Sequence, residues 1–299
     1  MTEIPQSMDA LSVRLRELDG RPFKAYQELL NQSYGHPGFR VEFVHVQGSP
    51  GAFPASVGHL TLDPSKLGLH PDCLSTEARR MAAADYLLRA FQRSVIAHTR
   101  RNRGARGSGS YQPLHLPPEV LERNVVRCEP GRLRIAFHIS LPGSSDNRVL
   151  GHQANGMLTG ELAAVVQDLK TSVHASAQLK HHCDVIEDWV NVQKLLPSYG
   201  LIAFIGDGAT LPRRTGASQA PLEEGTVAFR APDEMAVELD FPNAGPLRGL
   251  GIRPGVNVLI GGGFHGKSTV LNALVKGVYP HIPGDGRERV ISHPDAFFI

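Results

Sequence analysis

At 299 residues the chain exceeds what one compact core usually holds, so two domains are expected, each with enough interior to stand without covalent staples. Its 31 basic residues nearly balance 29 acidic ones, leaving a net charge of +2, so no global field draws it to an anionic partner and any such preference must be local. Cys73, Cys128 and Cys183 lie too far apart for a disulfide framework or a zinc ribbon, and their odd number points to a reducing compartment. With no apolar run of membrane-spanning length and an acidic, polar N-terminus, the expectation is a soluble, cytoplasmic protein with no membrane partner.

In chain order, Ser7 to Asp19 reads as a short amphipathic helix ended by Gly20, and a second helix is expected from Phe23 to Asn31. Phe39 to Val46 and Ala55 to Leu62 have the β-branched, alternating pattern of strands. Thr76 to His98 places Met81, Ala84, Leu88, Phe91 and Val95 at helical steps and predicts a long helix with one buried stripe. The following Arg101 to Ser110, rich in Gly, Ser and Arg, reads as a mobile loop with nothing to offer a core. Val120 to Arg127 and Leu133 to Leu141 look like paired strands around the turn Glu129 to Gly131. From about Leu158 to Leu196 the pattern is helical, which puts a domain boundary near Gly160, between residues 1–160 and 161–299. Strands are then expected at Leu201 to Ile205, Met235 to Phe241 and Val256 to Ile260, with a helix from Ser268 to Lys276.

Residues Gly261, Gly262, Gly263, Phe264, His265, Gly266, Lys267 and Ser268 complete a G-x-x-x-x-G-K-[ST] phosphate loop, between an expected strand and an expected helix. Nucleotide phosphates require positive potential without bulk, which glycine supplies by letting backbone N–H groups point inward. Lys267 is the catalytic candidate, a point charge for the β and γ phosphates. Ser268 is the candidate Mg²⁺ ligand, and Thr269 continues the nucleotide-binding segment into a helix whose positive end faces the phosphates. Phe264 and His265 fill variable positions, with His265 a rim residue. The cofactors read from this loop are a nucleotide, with adenine and guanine both open, and Mg²⁺; ATP enters with the family resemblance.

The segments Asp19 to Tyr26, His45 to Pro50, Arg103 to Ser110, Gly206 to Arg213 and Gly277 to Glu288, around the block G-G-G-F-H-G-K-S-T-V-L-N-A-L, resemble a bacterial family of predicted ATPases of the ABC class across essentially the whole chain. The resemblance implies an α/β protein: a mixed α+β N-terminal domain followed by a P-loop ABC-class ATPase domain, here incomplete at its C-terminus. Family members carry an Asp-Glu strand and an ABC signature after the matched segment, so hydrolysis of ATP is expected only of a domain that includes them. A nucleotide-dependent homodimer is implied by the same resemblance. Within the matched part, Pro280 stands where Asn is expected.

Weaker signals have plain alternatives. Arg100, Arg101, Arg103 and Arg106, in a stretch free of Asp and Glu from Tyr86 to Pro118, are candidates for contact with nucleic acid such as RNA; a solvated loop is the alternative. An RNA-binding module with a structural P-loop is accordingly the second functional reading. His181, His182, Cys183 and Asp184 include metal ligands, but neighbours on a helix point about 100° apart and do not converge. Asp207 reads as a turn residue, Phe229 and Phe241 as core residues before adenine-stacking ones, and Asp285 and Glu288 as outer Mg²⁺ partners or a surface turn.

Overall fold

The computed structural model describes residues 5–129, 131–174, 176–263 and 265–296. Met1–Pro71, Ala84–His115 and Arg123–Ser176 form one compact unit, and Asp72–Ala83, Leu116–Glu122 and Ala177–Ile299 form another.

The first unit comprises, in order, β1 (Gln6–Ser7), α1 (Met8–Glu17), β2 (Ser33–His36), β3 (Phe39–His45), β4 (Ser56–Leu62), most of α2 (Glu77–His98), β5 (Ser110–Gln112), β6 (Val126–Glu129), β7 (Arg132–Ser140), α3 (Gly151–Asn155) and α4 (Leu162–Val173). Its sheet runs β1-β2-β3-β4-β7-β5, with β6 also paired to β7; β1 and β2 are parallel and the other pairs antiparallel. Helix α1 starts where the sequence places it because the Ser7 hydroxyl accepts the Ala10 N–H at 3.1 Å, and Asp9 and Arg16 lie at the ends that suit their charges. The expected second helix forms as a 3₁₀ helix, Phe23–Leu29. Its buried residues, Phe23, Tyr26 and Leu29, recur every third position, which matches three residues per turn and not 3.6.

Strict alternation then builds the core. Val41 and Phe43, Leu60 and Leu62, and Leu133, Ile135, Phe137 and Ile139 point inward from β3, β4 and β7. Gly58 is the exception in size: a Cβ there would stand 2.3 Å from Phe137 Cζ, so the absent side chain is what admits the ring. Phe91 of α2 lies 6.4 Å from Phe137, centroid to centroid.

Two expectations for this unit are corrected. Val120 does not begin a strand; β6 starts at Val126, while the Val120 N–H, in the second unit, donates to Pro280 O at 2.7 Å. Nor is 101–110 a loop without a core. Ser108 and Gly109 are buried, Ala105 N–H donates to Gly143 O at 2.7 Å, and Gly109 N–H donates to Ser140 O at 2.8 Å. Its glycines serve close approach: a Cβ at Gly104 would meet Ser108 Oγ at 2.3 Å and Gly143 N at 2.8 Å.

The second unit contains α5 (Ala177–Leu195), β8 (Ala203–Gly206), β9 (Ala236–Phe241), β10 (Gly245–Ile252), α6 (Lys267–Lys276) and β11 (Val290–Ser292). The sheet is antiparallel in the order β11-β8-β10-β9. Because adjacent strand residues face opposite ways, β8, β10 and β11 feed both sides, while β9 feeds only the α5 side. Phe204, Leu239, Phe241 and Ile291 pack with Trp189, Val192 and Leu196 on the α5 side. Ile205 and Val290 pack with Ala273 of α6, alongside partly buried Leu250, Val270 and Leu274, on the other. The Trp189 indole donates to Val290 O at 2.9 Å, and Gln193 of α5 donates to Ser292 O at 2.8 Å.

Val256 to Ile260 does not form the expected strand. It joins no sheet, and Val256 and Ile260 are 97% and 83% exposed. The apolar pattern is that of a buried strand, but a strand exists only where a neighbour supplies the matching N–H and C=O groups.

Candidate functional site

Helix α6 is the element on which the phosphate loop is mounted. Gly266 caps it in the left-handed region (φ 80°), and the first bond of the helix runs from Val270 N–H to Gly266 O at 3.0 Å. The N–H groups of Lys267, Ser268 and Thr269, having no residue four positions earlier within the helix, face outward at its positive end. Gly261 also has a positive φ, 151°, which a side chain would resist. The Lys267 ammonium folds back over the loop and donates to Gly261 O at 2.7 Å and to Gly262 O. His265 lies beside Gly262, where a Cβ would be 3.2 Å from the imidazole Cε1. Gly261, Gly262, Gly263, His265, Gly266 and Ser268 are exposed and Thr269 is half-buried. Phe264 lies outside the described residues. Lys267 therefore sits with its charge against the glycine backbone, at the mouth of a loop whose donors are accessible.

Two family models cover most of the chain. One, described as ATPase of the ABC class N-terminal, matches residues 8–171, more than half of the sequence; the other, an ABC ATPase P-loop domain, matches residues 175–299. The chain belongs to the family of ABC-class ATPases. Among curated proteins none matches it. The first match spans most of the mixed α+β unit with the seven-stranded sheet and also the Asp72–Ala83 and Leu116–Glu122 segments of the second unit, and the second match takes in α5, the four-stranded sheet and α6 with the phosphate loop.

In this ABC-class ATPase the remaining candidates divide clearly. Ser268 offers one exposed hydroxyl on the first turn of α6, and Mg²⁺ commonly takes one or two protein oxygens and completes its shell with water and phosphate oxygens, so the donor set fits that ion. Asp285 is not placed to help: it accepts from His281 Nδ1 at 2.7 Å and from Arg213 at 3.0 Å, and its side chain is buried. Glu288 accepts from Gly284 N–H at 3.3 Å within its own turn. Asp207 is a structural clip, receiving Ala231 N–H at 2.7 Å and pairing with Arg248. Burial works against its ionised form, but those two partners more than offset it and hold the carboxyl below its ordinary value.

Phe241 lies in the α5-side core, 5.9 Å from Phe204, and Phe229 packs against the α6-side cluster, so both serve as core residues. Among the described residues no group of three His, Cys, Asp or Glu side chains gathers as a metal site. Asp184 instead pairs with Arg79 and Lys180, and the Cys183 thiol donates to Arg79 O at 3.9 Å.

The arginine cluster is split. Arg103 forms a largely buried ion pair with Glu161, while Arg100, Arg101 and Arg106 are exposed. A basic feature that sequence reasoning missed lies on the outer face of the seven-stranded sheet. Register places Arg40 opposite Thr61, Thr61 opposite Arg134, and Arg134 opposite Arg127, so three guanidiniums cross the sheet in one row. Arg40, Arg132 and Arg134 make no ion pair among the described residues. Nearby His59 is held below its ordinary value, first by burial and then by Arg134. The polar positions of the alternating strands carried this signal, but only strand register could align them.

Proposed function

We propose that this chain binds Mg-ATP through Gly261 to Thr269. The observation that carries the reading is the pairing of α6, whose first-turn N–H groups face outward, with the Lys267 ammonium over the same loop. Lys267 would exchange the carbonyls of Gly261 and Gly262 for phosphate oxygens, and the loop backbone would hold the β and γ phosphates. Ser268 would hold Mg²⁺, which when bound neutralises charge on those oxygens. The proposal is one of binding. Cleavage also needs a group that orients water. Calorimetric titration of Mg-ATP into wild type and Lys267→Ala tests it. Binding by wild type and a loss of at least tenfold in the variant are expected; equal binding, or none in either, overturns the reading.

A second reading, RNA binding by the N-terminal unit, is favoured by the row of Arg40, Arg134 and Arg127, since guanidiniums aligned on a sheet face can track a phosphate backbone. Filter binding of single-stranded RNA at two salt concentrations decides it. Affinity that falls with salt and weakens in Arg40→Ala/Arg134→Ala supports the sheet face; affinity that is absent or insensitive to salt rejects it. If only Arg100→Ala/Arg101→Ala/Arg106→Ala weakens binding, the loop and not the sheet is the contact.

A further inference from the structure

Antiparallel pairing sends neighbouring strands in opposite directions, so the ends of β2 and β4 and the starts of β3 and β7 meet at one end of the seven-stranded sheet. The residues gathered there are His36, Phe39, Leu62 and Arg132. They line a hollow of about 450 Å³ that lies wholly within the first unit. Phe39 and Leu62 are 6% and 3% exposed and make its base apolar, and the His36 ring stacks on Phe39 with centroids 4.6 Å apart and planes within 19°.

The wall is charged. Among the described residues of the lining, Arg40, Lys66 and Arg132 are cationic and Asp63 alone is anionic, which leaves an excess of +2. Asp63 is engaged by its own turn, accepting the Ser65 N–H at 2.9 Å and the Ser65 hydroxyl at 2.6 Å, and neither guanidinium has an ion-pair partner among the described residues. A further cation approaches through a missing side chain: a Cβ on Gly38 would stand 2.7 Å from Lys170 Nζ. At the opposite turn Gly131 has a φ of 72° and open space where a side chain would be, so backbone and not bulk borders the hollow there.

We infer that this hollow binds a small phosphomonoester, with the phosphate on Arg40 and Arg132 and the organic group on Phe39, Leu62 and the His36 ring.

The charges match, because a phosphate monoester carries about −1.5 to −2 at neutral pH and a guanidinium fork can take two of its oxygens at once. The dimensions match too, since small-molecule sites are hollows of roughly 300–1,000 Å³ with an apolar base and few polar groups. A polymer backbone is better served by the row that continues through Arg134 and Arg127, neither of which lines the hollow. The inference rests on neither nucleotide nor RNA binding.

Phenyl phosphate, a monoester with a planar apolar group, is the probe, titrated calorimetrically into the full chain. Wild type should bind it more tightly than inorganic phosphate, which lacks the ring, and more tightly than phenyl sulfate, which has the same shape and one charge fewer. Arg40→Gln/Arg132→Gln should weaken binding by at least about tenfold, and exposed Lys66→Gln by about threefold. Melting temperatures should stay near wild type, as no native ion pair of the two arginines is removed; should the double variant unfold, Lys66→Gln decides. Lys267→Ala should bind phenyl phosphate as wild type does, which separates this site from the phosphate loop. The inference is overturned if wild type does not bind the probe, if inorganic phosphate or phenyl sulfate binds as tightly, or if the hollow's variants bind unchanged. Loss in Lys267→Ala alone overturns it by moving the phosphate to the loop. Binding of single-stranded RNA without binding of phenyl phosphate overturns it in favour of a nucleic-acid face.

Discussion

Replacing Arg79 with methionine keeps most of the stem volume and removes the guanidinium, so it isolates what that group holds together. The side chain is 7% exposed and reaches Glu187 at 2.7 Å, Asp184 at 2.7 Å, Asp72 at 2.9 Å and Asn243 Oδ1 at 3.0 Å. Asp72 is nearly half exposed and its pairing counts for little. Asp184 retains Lys180 at 2.7 Å and Glu187 retains Thr76 Oγ1 at 2.9 Å, so neither is left bare. What disappears is two charge-assisted bonds to largely buried carboxylates, about 1.5–3 kcal/mol each and about 3–5 kcal/mol together.

Trp189, the chain's only tryptophan, lies in the same unit on α5 and reports its unfolding by fluorescence. Urea titration at neutral pH should show a lower midpoint at unchanged slope. A loss below about 1 kcal/mol would refute the claim that this cluster organises the unit. The pH dependence adds a second reading. Burial alone would raise the carboxyls of Asp184 and Glu187, but their partners win, Lys180 and Arg79 for the first and Asn243, Thr76 and Arg79 for the second, and both are held below their ordinary values of 3.8 and 4.5. Their stabilising contribution is thus fully present above pH 4.5 and is lost as pH falls through the depressed values. In Arg79→Met that acid loss should shrink.

Gly58→Ala puts a methyl 2.3 Å from Phe137 Cζ and should cost about 1–3 kcal/mol by circular dichroism melts, with part recovered when Phe137→Leu is added; wild-type stability in Gly58→Ala alone would dismiss the packing account. Arg103→Met removes the partner of the largely buried Glu161 and should destabilise the first unit by about 3 kcal/mol, while exposed Arg101→Ala should stay within about 0.5 kcal/mol; equal effects would return the whole cluster to the solvent. Light scattering with and without Mg-ATP tests the nucleotide-dependent homodimer, expected as a doubling of mass that Lys267→Ala abolishes.

Local periodicity made much of the fold legible. Ser7 as a cap, the extent of α2 and the alternation in β3, β4 and β7 are local patterns, and each formed within a few residues of its expected place, although α2 is buried on more than the one expected stripe, with Ala82, Ala83 and Leu87 inside and Met81 and Ala84 half-buried. The phosphate loop was equally legible because its chemistry lies in eight consecutive positions. What the sequence hid depends on partners. Glycine-rich β10 lacks apolar bulk because its backbone passes close to β8: a Cβ at Gly249 would stand 2.4 Å from Ile205 O. Loop 101–110 looked solvated because composition does not reveal that Gly104 and Ser108 lock onto Gly143. The row of arginines across the outer sheet face exists only after distant segments align.

The segment Val256 to Ile260 has a practical meaning for anyone handling this chain. It is uncharged and β-branched, contains no proline, and presents its backbone donors and acceptors to solvent beside exposed Val256, Val258 and Ile260. Those are the attributes of a self-templating edge, on which a second molecule can lay the same five residues and begin an intermolecular sheet. Colloidal behaviour at high concentration will therefore be governed by the residues next to the phosphate loop, and one lysine at Val258 is the smallest gatekeeper that leaves Gly261 to Ser268 untouched.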